Sequence, residues 1–201
     1  MKSIFAALPL ALLLCGCESV MQANVTQFAA MPPPVGKNFV VAAEPQQSGS
    51  LEFQHYAALV GAALQEHGFV AAPPGAQSDL VVLIHYGSMG HHTEIYGDEF
   101  WGYGGWGWRH GPGPWGPEVE SKTYFAEQLE VEILDGPAWR HNMRNMIYQG
   151  RAIGDSTVNE INAAVPALVR ALFLHFPGNN GGTERIEVPV GPELNRTKAS
   201  G

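Results

Sequence analysis

One stretch of the sequence, TYFAEQLEVEILDG at residues 123–136, constrains the fold most, because its apolar and polar side chains alternate. The apolar positions of one face are Phe125, Leu129, Val131 and Ile133. The opposite face carries Gln128, Glu130 and Glu132. Since successive side chains of a strand point to opposite faces, this pattern predicts a strand with one face on a core and the other in water.

Four further strands are predicted on either side of this one. Val25–Phe28 and Asn38–Ala42 are short runs separated by prolines, and the segment MRNMIYQGRAIG at 143–154 follows a turn at Asp135-Gly136-Pro137. Arg144 and Arg151 of that segment are expected to oppose Glu130 and Glu132 across the hairpin. Leu80–Tyr86 is apolar at consecutive positions, which predicts a central strand covered on both faces.

Two segments carry the periodicity of helices. Ser50 is placed to cap a helix with a buried stripe, and Gly68 follows its end. The members of that stripe are Phe53, Ala57, Val60, Leu64 and His67. Thr157 and Glu160 form a capping box before a second helix, in which Pro166 is expected to cause a kink or a break.

The order of these elements predicts an α+β fold: a single mixed or antiparallel sheet with two helices packed on one face. The expected domain spans 25–178 and contains a long loop at 87–117 that is rich in glycine and tryptophan. Residues 179–201 are expected to form a flexible tail, to which the segment RIEVPV could add one edge strand.

The predicted loop at 87–117 is the segment most in need of a function, because long loops without regular structure are uncommon in compact domains. It holds four of the five tryptophans and three of the eight histidines. The candidate ligand-binding side chains are Trp101, Tyr103, Trp106, Trp108 and Trp115. In one interpretation these rings pack on the sheet or belong to a low-complexity insertion; in another they form a platform for a glycan or a peptide.

Two other interpretations of the same loop stay open. His91, His92 and His110, with Asp98 and Glu99, are candidate ligands for zinc, nickel or copper, since imidazole and carboxylate suit these metals. Adjacent histidines point apart in an extended chain, so both could reach one ion only in a turn. Alternatively, the tryptophans contact a membrane interface. No cofactor is expected.

The first residues have the pattern of an export signal. Lys2 precedes an apolar run at 4–14 that is too short to cross about 30 Å of hydrocarbon as a helix but has the proportions of a signal peptide. Leu14-Cys15-Gly16-Cys17 resembles the bacterial lipobox, which implies cleavage after residue 16 and acylation of Cys17. Residues 17–24 are then expected to be a lipidated N-terminus and linker. Glu18, where an Asp would favour the inner membrane, favours the outer membrane in the sorting pattern that this resemblance implies.

Composition excludes several classes of function. After the predicted cleavage Cys17 is the only cysteine, so disulfides, cysteine-based zinc sites and thiol catalysis are not expected. Residues 17–201 keep ten basic and nineteen acidic side chains, a net charge of −9, which argues against nucleic acid as a partner. No Gly-x-Ser-x-Gly elbow and no nucleotide-binding glycine motif occurs in a suitable context. The sequence therefore predicts no enzyme.

Several segments in this order resemble one family. FQHYAALVGAALQEHGF, SDLVVLIHYG, LEVEILDG, IYQGRAIGD and LFLHFPG, behind a lipobox, are similar to domain of unknown function 4136, a family of predicted lipoproteins of Gram-negative bacteria. The resemblance implies a palmitate-bearing envelope lipoprotein without a known activity. We expect a protein held in the membrane by Cys17, facing the periplasm from the outer membrane, with an accessory or binding role towards an envelope glycan or protein.

Overall fold

The computed structural model describes residues 19–31, 37–73, 75–97, 119–156 and 161–190. These residues form one open mixed sheet of seven strands with three α-helices, which confirms the α+β class predicted from the sequence. The strands are β1 (Ser19–Ala29), β2 (Asn38–Val41), β3 (Val70–Ala71), β4 (Leu80–Gly97), β5 (Val119–Asp135), β6 (Met146–Ser156) and β7 (Thr183–Val190). The helices are α1 (Leu51–Glu66), α2 (Gly136–Arg140) and α3 (Ile161–Leu174).

The strands lie in the order β3-β2-β4-β5-β6-β1-β7. Strand β2 runs parallel to β3 and β4, and every other neighbouring pair is antiparallel. The two longest strands, β4 and β5, are hydrogen-bonded from Leu80 opposite Asp135 to Gly97 opposite Val119. The other strands of the sheet are added on the two sides of this hairpin.

Helix α1 begins and ends as its sequence predicts. The Ser50 hydroxyl oxygen accepts a hydrogen bond from the Phe53 N–H at 3.1 Å, which satisfies one of the free donors of the first turn. After the last turn Gly68 adopts a φ of +89°, a conformation that glycine enters without a steric penalty. His67 joins the two long helices, because its Nε2–H donates to the Phe173 carbonyl oxygen at 2.9 Å.

The main core lies against one face of the sheet, here called the inner face, which carries Ala23, Ile84, Val131 and Ala152. Side chains of α1 and α3 belong to the same buried cluster as these strand residues. A smaller cluster forms on the opposite, outer face near α2; its buried members are Val81, Leu83 and Leu134. The first half of β4 is therefore covered on both faces, as its apolar sequence predicts.

A buried polar relay ties three elements of the main core together. Tyr148 of β6 donates to the Gln27 side-chain oxygen at 3.1 Å, and Gln27 of β1 donates to the Leu172 carbonyl of α3 at 3.1 Å. Burial raises the pKa of the Tyr148 phenol above its ordinary value, so it stays protonated and donates. Gly150 makes room for this ring: a Cβ there would lie 2.7 Å from Tyr148 Cζ and 2.9 Å from Leu172 Cδ1.

The first eleven residues of the predicted loop at 87–117 are not loop. Residues 87–97 continue β4 and pair with β5, while residues 98–117 lie outside the described residues. Glycine and serine at positions 87, 88 and 90 have low strand propensity, which favoured a loop when the sequence was considered alone. The ladder to β5 outweighs that local preference.

The predicted linker at 17–24 is also partly wrong, and the predicted tail at 179–201 contains the edge strand that RIEVPV could add. Residues 19–24 belong to β1, and 183–190 form β7, which pairs with β1 from Ser19 opposite Val190 to Thr26 opposite Thr183. Alternate side chains of both strands reach the core. They are Met21 and Ala23 of β1 and Ile186 and Val188 of β7. Short alternating segments beside proline and glycine carry too weak a signal to be distinguished from coil.

The helices required two smaller corrections. The predicted turn at 135–137 opens the short helix α2, because the Asp135 carboxylate accepts from the Ala138 N–H at 2.9 Å and caps it. There are therefore three helices, not two, in the described chain. Pro166 does not divide α3. Its missing N–H deprives only the carbonyl of Asn162, whose exposed position lets water replace that bond.

Candidate functional site

Strands β4 and β5 extend beyond the rest of the sheet. They have 18 and 17 residues, whereas the neighbouring β6 and β1 have eleven each. The last pair between β5 and β6 joins Phe125 to Ser156. Further out, 93–97 and 119–123 pair with each other, and no third strand of the described chain joins them. We call this two-stranded ribbon the arm.

The arm is held by cross-strand side chains at its base and along one edge. The His92 ring stacks on Tyr124 with the ring centroids 5.3 Å apart, and Lys122 Nζ lies 5.6 Å from the Tyr124 centroid. The hydroxyls of Thr93 and Thr123 lie 3.1 Å apart. Ile95 is 71% exposed. An isolated two-stranded ribbon is at best marginally stable in water. The arm therefore exposes an apolar side chain to water without adding to the core of the protein.

The structure separates the two described histidines of the predicted metal site. His91 and His92 are consecutive residues of β4: His91 lies against Phe125 at 6.0 Å and His92 against Tyr124 at 5.3 Å. Neighbouring strand residues point to opposite faces, so these two imidazoles cannot bind one ion while the strand is intact. In the ranges that the structure describes, no three His, Cys, Asp or Glu side chains come together as a ligand set.

The other predicted site residues lie outside the described residues. These are the lipid acceptor Cys17, the loop histidine His110 and the aromatic candidates Trp101, Tyr103, Trp106, Trp108 and Trp115. The capping pair Thr157 and Glu160 lies outside them as well. The sequence connects the aromatic candidates directly to the arm, since they all fall between Gly97 and Val119.

A β-bulge marks the root of the arm. The ladder shifts register between Ser88 and Gly90, which leaves Met89 without a partner residue on β5. Gly90 has a φ of +137°, a region that residues with a Cβ rarely enter. An extra residue exchanges the faces to which later side chains point, and His91 therefore faces the same side as Phe125. Bulges occur preferentially where a strand must be re-aimed, often beside functional sites.

Beside the bulge, Glu127 of β5 is buried on the inner face. Its side chain is 0% exposed, and neither carboxylate oxygen has a hydrogen-bond partner among the described residues. Burial raises the pKa of the Glu127 carboxyl, since the charged form loses its hydration without compensation. Sequence reasoning missed this residue, although the alternation contained the signal. Glu127 lies between Phe125 and Leu129 on the apolar face.

Two tyrosines complete the root. The rings of Tyr56 in α1 and Tyr86 in β4 meet edge to face with their centroids 4.6 Å apart. Tyr56 donates to the Glu52 carboxylate at 3.1 Å. Burial raises the pKa of both phenols, and the carboxylates of Glu52 and Glu127 add to the shift at Tyr56. The root thus brings together two phenols and a buried carboxyl, and burial raises the pKa of each.

The outer face carries a different set of charges, two pairs of which join β5 to the β6 side of the sheet. The two arginines meet the two glutamates across the β5–β6 hairpin as predicted, but in the antiparallel order: Arg151 Nη2 lies 3.1 Å from Glu130 Oε2, and Arg144 pairs with Glu132. His85 lies beside the same network, with Nδ1 3.5 Å from Glu44 Oε2 and Nε2 3.9 Å from Glu132 Oε2. The members of these pairs interact with each other across the sheet, so no ligand is needed to explain why these charged residues lie there.

Comparison with known families decides the family of the chain. Residues 19–178 match the family described as Domain of unknown function (DUF4136). The chain belongs to this family. The DUF4136 match confirms the resemblance that the sequence motifs indicate, and it includes strands β1 to β6, the arm and both long helices.

More distant similarities add little. A PDZ domain protein from Parabacteroides distasonis is 11% identical with a TM-score of 0.46; the match covers 85% of this chain and 40% of that one. The chain thus spans less than half the length of that protein. The PelC dodecamer from Paraburkholderia phytofirmans is 12% identical with a TM-score of 0.38, over 75% of this chain and 94% of that one. None of the curated proteins compared with the chain matches it.

Among the described residues, no helix has both the length and the hydropathy needed to cross a membrane.

Proposed function

We propose that this DUF4136 protein is a lipid-anchored protein of the cell envelope, held by acylated Cys17 at the periplasmic side of the outer membrane. Its support is the sequence around the acceptor: an apolar run behind Lys2, then Leu14-Cys15-Gly16-Cys17. Two or three acyl chains on one cysteine give stable anchoring, whereas a single chain gives only marginal binding. Residues 1–16 would be removed as the signal peptide.

The role of the anchored domain is accessory binding through the arm. The observation that carries this proposal is the arm itself, a two-stranded ribbon with an exposed Ile95 that adds nothing to the core. It leads directly into residues 98–118, which hold four of the five tryptophans. Tryptophan presents a large apolar face with one hydrogen-bond donor, which suits contact with a partially hydrated surface.

The finer architecture supports the same assignment of roles. Helices α1 and α3 share one buried cluster with the inner face, in keeping with two long helices packed on one side of the sheet. The outer face is closed by its own ion pairs. Burial and pairing thus account for both faces of the body, whereas neither accounts for the arm.

The anchor is tested by the mass of the mature N-terminus. Acylated Cys17 gives a chain that begins at residue 17 with a mass increased by its acyl chains and fractionates with membranes. Cys17→Ser is expected to stay unprocessed or become soluble. Palmitate labelling that persists in Cys17→Ser would refute the anchor.

Binding through the arm is tested by tryptophan fluorescence. Addition of peptidoglycan fragments or of lipid vesicles is expected to change the emission, and the triple replacement of Trp101, Trp106 and Trp108 by Phe is expected to remove the change. Trp139 provides the matched control, because it packs against the smaller outer-face cluster, far along β5 from the arm. A response that survives the triple replacement but disappears in Trp139→Phe would refute a binding role of the arm.

Metal binding is the second candidate and has less support, because His91 and His92 lie on opposite faces. Saturable zinc or copper binding that is lost on replacing His91, His92 and His110 together would restore it.

A further inference from the structure

Strand register places the membrane tether and the arm at the same end of the sheet. Ala23 of β1 lies opposite Gly154, Gly154 lies opposite Glu127, and Glu127 lies opposite Ser88, so one row crosses four strands. From this row β1 runs back towards Ser19 in the direction in which β5 runs back towards Val119 and β4 runs on to Gly97. The chain leading to Cys17 and the arm therefore leave the body side by side.

The arm extends about as far from the shared row as an extended chain to Cys17 would. Cys17 is six residues from Ala23, which is about 20 Å at ~3.4 Å per residue if the two residues before β1 are extended. Val119 is eight residues from Glu127, about 27 Å along the arm. Neighbouring strands are twisted by roughly 20–25° relative to each other, and two such steps separate β1 from β5. Measured along the direction of β1, the arm therefore extends about 19 Å from the shared row. If Cys17 holds the body at a membrane, the far end of the arm therefore lies close to that membrane.

Of the ten large apolar side chains exposed among the described residues, four lie at this end. Val20 follows the first residue of β1, Met89 is the bulged residue, and Ile95 lies on the arm. Leu51 opens α1, whose start lies at the same end because Tyr56 packs on Tyr86 two residues from the shared row. The opposite end of β1, at Ala29, is about 40 Å from Cys17 by the same rise per residue.

We propose that the arm is a second membrane contact, and that its ligand is the lipid leaflet that holds Cys17. The inference rests on the proposed acylation and names the partner of the proposed binding role. A net charge of −9 in residues 17–201 excludes attraction to anionic lipid as the driving force. The contact is instead apolar and interfacial, and it is insensitive to salt.

Single introduced cysteines measure this orientation. In the acylated protein the Cys17 sulfur is blocked, so an introduced cysteine is the only reactive thiol. Ile95→Cys on the arm is matched by Leu174→Cys at the end of α3, since both positions are exposed, at 71% and 56%. Leu174 belongs to the opposite end, because Leu172 accepts from Gln27 four residues beyond the shared row. Met89→Cys at the arm root gives an intermediate position.

Each variant is labelled with an environment-sensitive fluorophore and reconstituted in phosphatidylcholine vesicles that contain a lipid with a spin-labelled headgroup. Quenching is expected to be several-fold stronger at position 95 than at position 174, with position 89 between them, and unchanged at high salt. Equal quenching at all three positions, or stronger quenching at 174, overturns the inference.

The same samples separate the two proposals. A chain that floats with vesicles and carries acylated Cys17, yet shows no excess quenching at 95, refutes the membrane contact and leaves the anchor standing. If the label at 95 responds to added peptidoglycan fragments and not to the spin-labelled lipid, the arm binds glycan and the inference is overturned in that direction. Unmodified Cys17 with no flotation ends both proposals.

Discussion

Strand β5 passes through two environments, and the contrast between them separates the body of this protein from its arm. At Leu129, Val131 and Ile133 the strand has a neighbour on each side and helices over its inner face, and these side chains are fully buried. Ten residues earlier the same strand has one described neighbour and belongs to an exposed ribbon. Burial thus stabilises the body, whereas the arm depends on a single ladder attached to it.

The boundary between the two regions falls at Glu127. Towards the arm, the ladder between β5 and β6 ends within two residues. Away from the arm, Leu129 is the next residue of β5 that belongs to the buried core. A buried carboxyl without a hydrogen-bond partner among the described residues lowers stability in a place where a leucine would raise it.

The largest expected difference is in amide hydrogen exchange. Amides of 129–133 should exchange only on global unfolding, which costs about 5–15 kcal/mol in a typical domain. Amides of 93–97 and 119–123 should exchange by local opening at a cost near 0–2 kcal/mol. The protection factors should therefore differ by at least about a hundredfold, at 1.4 kcal/mol per factor of ten. Equal protection in both segments would erase the distinction between body and arm.

A smaller difference is expected between two glycine substitutions. Gly150→Ala should lower the free energy of unfolding by about 3 kcal/mol, because its Cβ must displace both Tyr148 and Leu172. Gly87→Ala, near the arm root, should change it by less than about 0.5 kcal/mol, since nothing lies within 4 Å of a Cβ there. Urea unfolding midpoints measure both. A tolerated Gly150→Ala would show that the Tyr148 relay is not closely packed.

Next in size is the pH dependence contributed by Glu127. Its carboxyl binds its proton more tightly in the folded than in the unfolded chain, so stability is lost as pH rises from about 4.5 through the raised folded pKa. Glu127→Gln should remove that loss and stabilise the protein by about 1–2 kcal/mol at pH 8, with little effect at pH 4.

Glu130→Gln is the matched control, three residues along the same strand. Glu130 accepts hydrogen bonds from Arg151 and from Gln149, whose amide nitrogen lies 2.6 Å away. Its replacement should destabilise the protein by up to about 1 kcal/mol at pH 8. Thermal unfolding between pH 4 and pH 8 compares the two variants, and the same sign of effect at pH 8 would contradict the proposed burial of an unpaired Glu127.

The smallest effect comes from two similar pairs of threonines. The hydroxyls of Thr93 and Thr123 lie 3.1 Å apart on the arm, and those of Thr26 and Thr183 lie 2.7 Å apart between β1 and β7. Thr26→Ala should lower global stability by a few tenths of a kcal/mol. Thr123→Ala should leave it unchanged and accelerate exchange in the arm alone. A global loss from Thr123→Ala would mean that the arm folds as one unit with the body.

Local signals in the sequence predicted the body well. Ser50 and Gly68 bound α1 as their capping chemistry requires, and the alternation in β5 gave the correct faces for Leu129 and Glu130. These features depend on neighbours in sequence, so a single chain reveals them. The ion pair between Arg151 and Glu130 followed once the hairpin was recognised.

The candidate site was predicted much less well, because it depends on strand pairing between distant segments. Gly87, Ser88 and Gly90 favour a loop locally, and only the ladder with β5 makes them a strand. The pairing of Ser19 with Val190 likewise joins opposite ends of the sequence. Glu127 could have been found, since its place in the alternation puts a carboxyl on the apolar face.

The start of β1 at Ser19 has a consequence for how far the protein can act. With Cys17 acylated, Glu18 alone separates the lipid from the folded chain, so the distance over which the domain can search is set by its own dimensions and not by a linker. A lipoprotein on a long disordered stalk can span the gap to a distant cell-wall layer. This one would meet its partners within a shallow zone at the leaflet, by lateral diffusion in two dimensions.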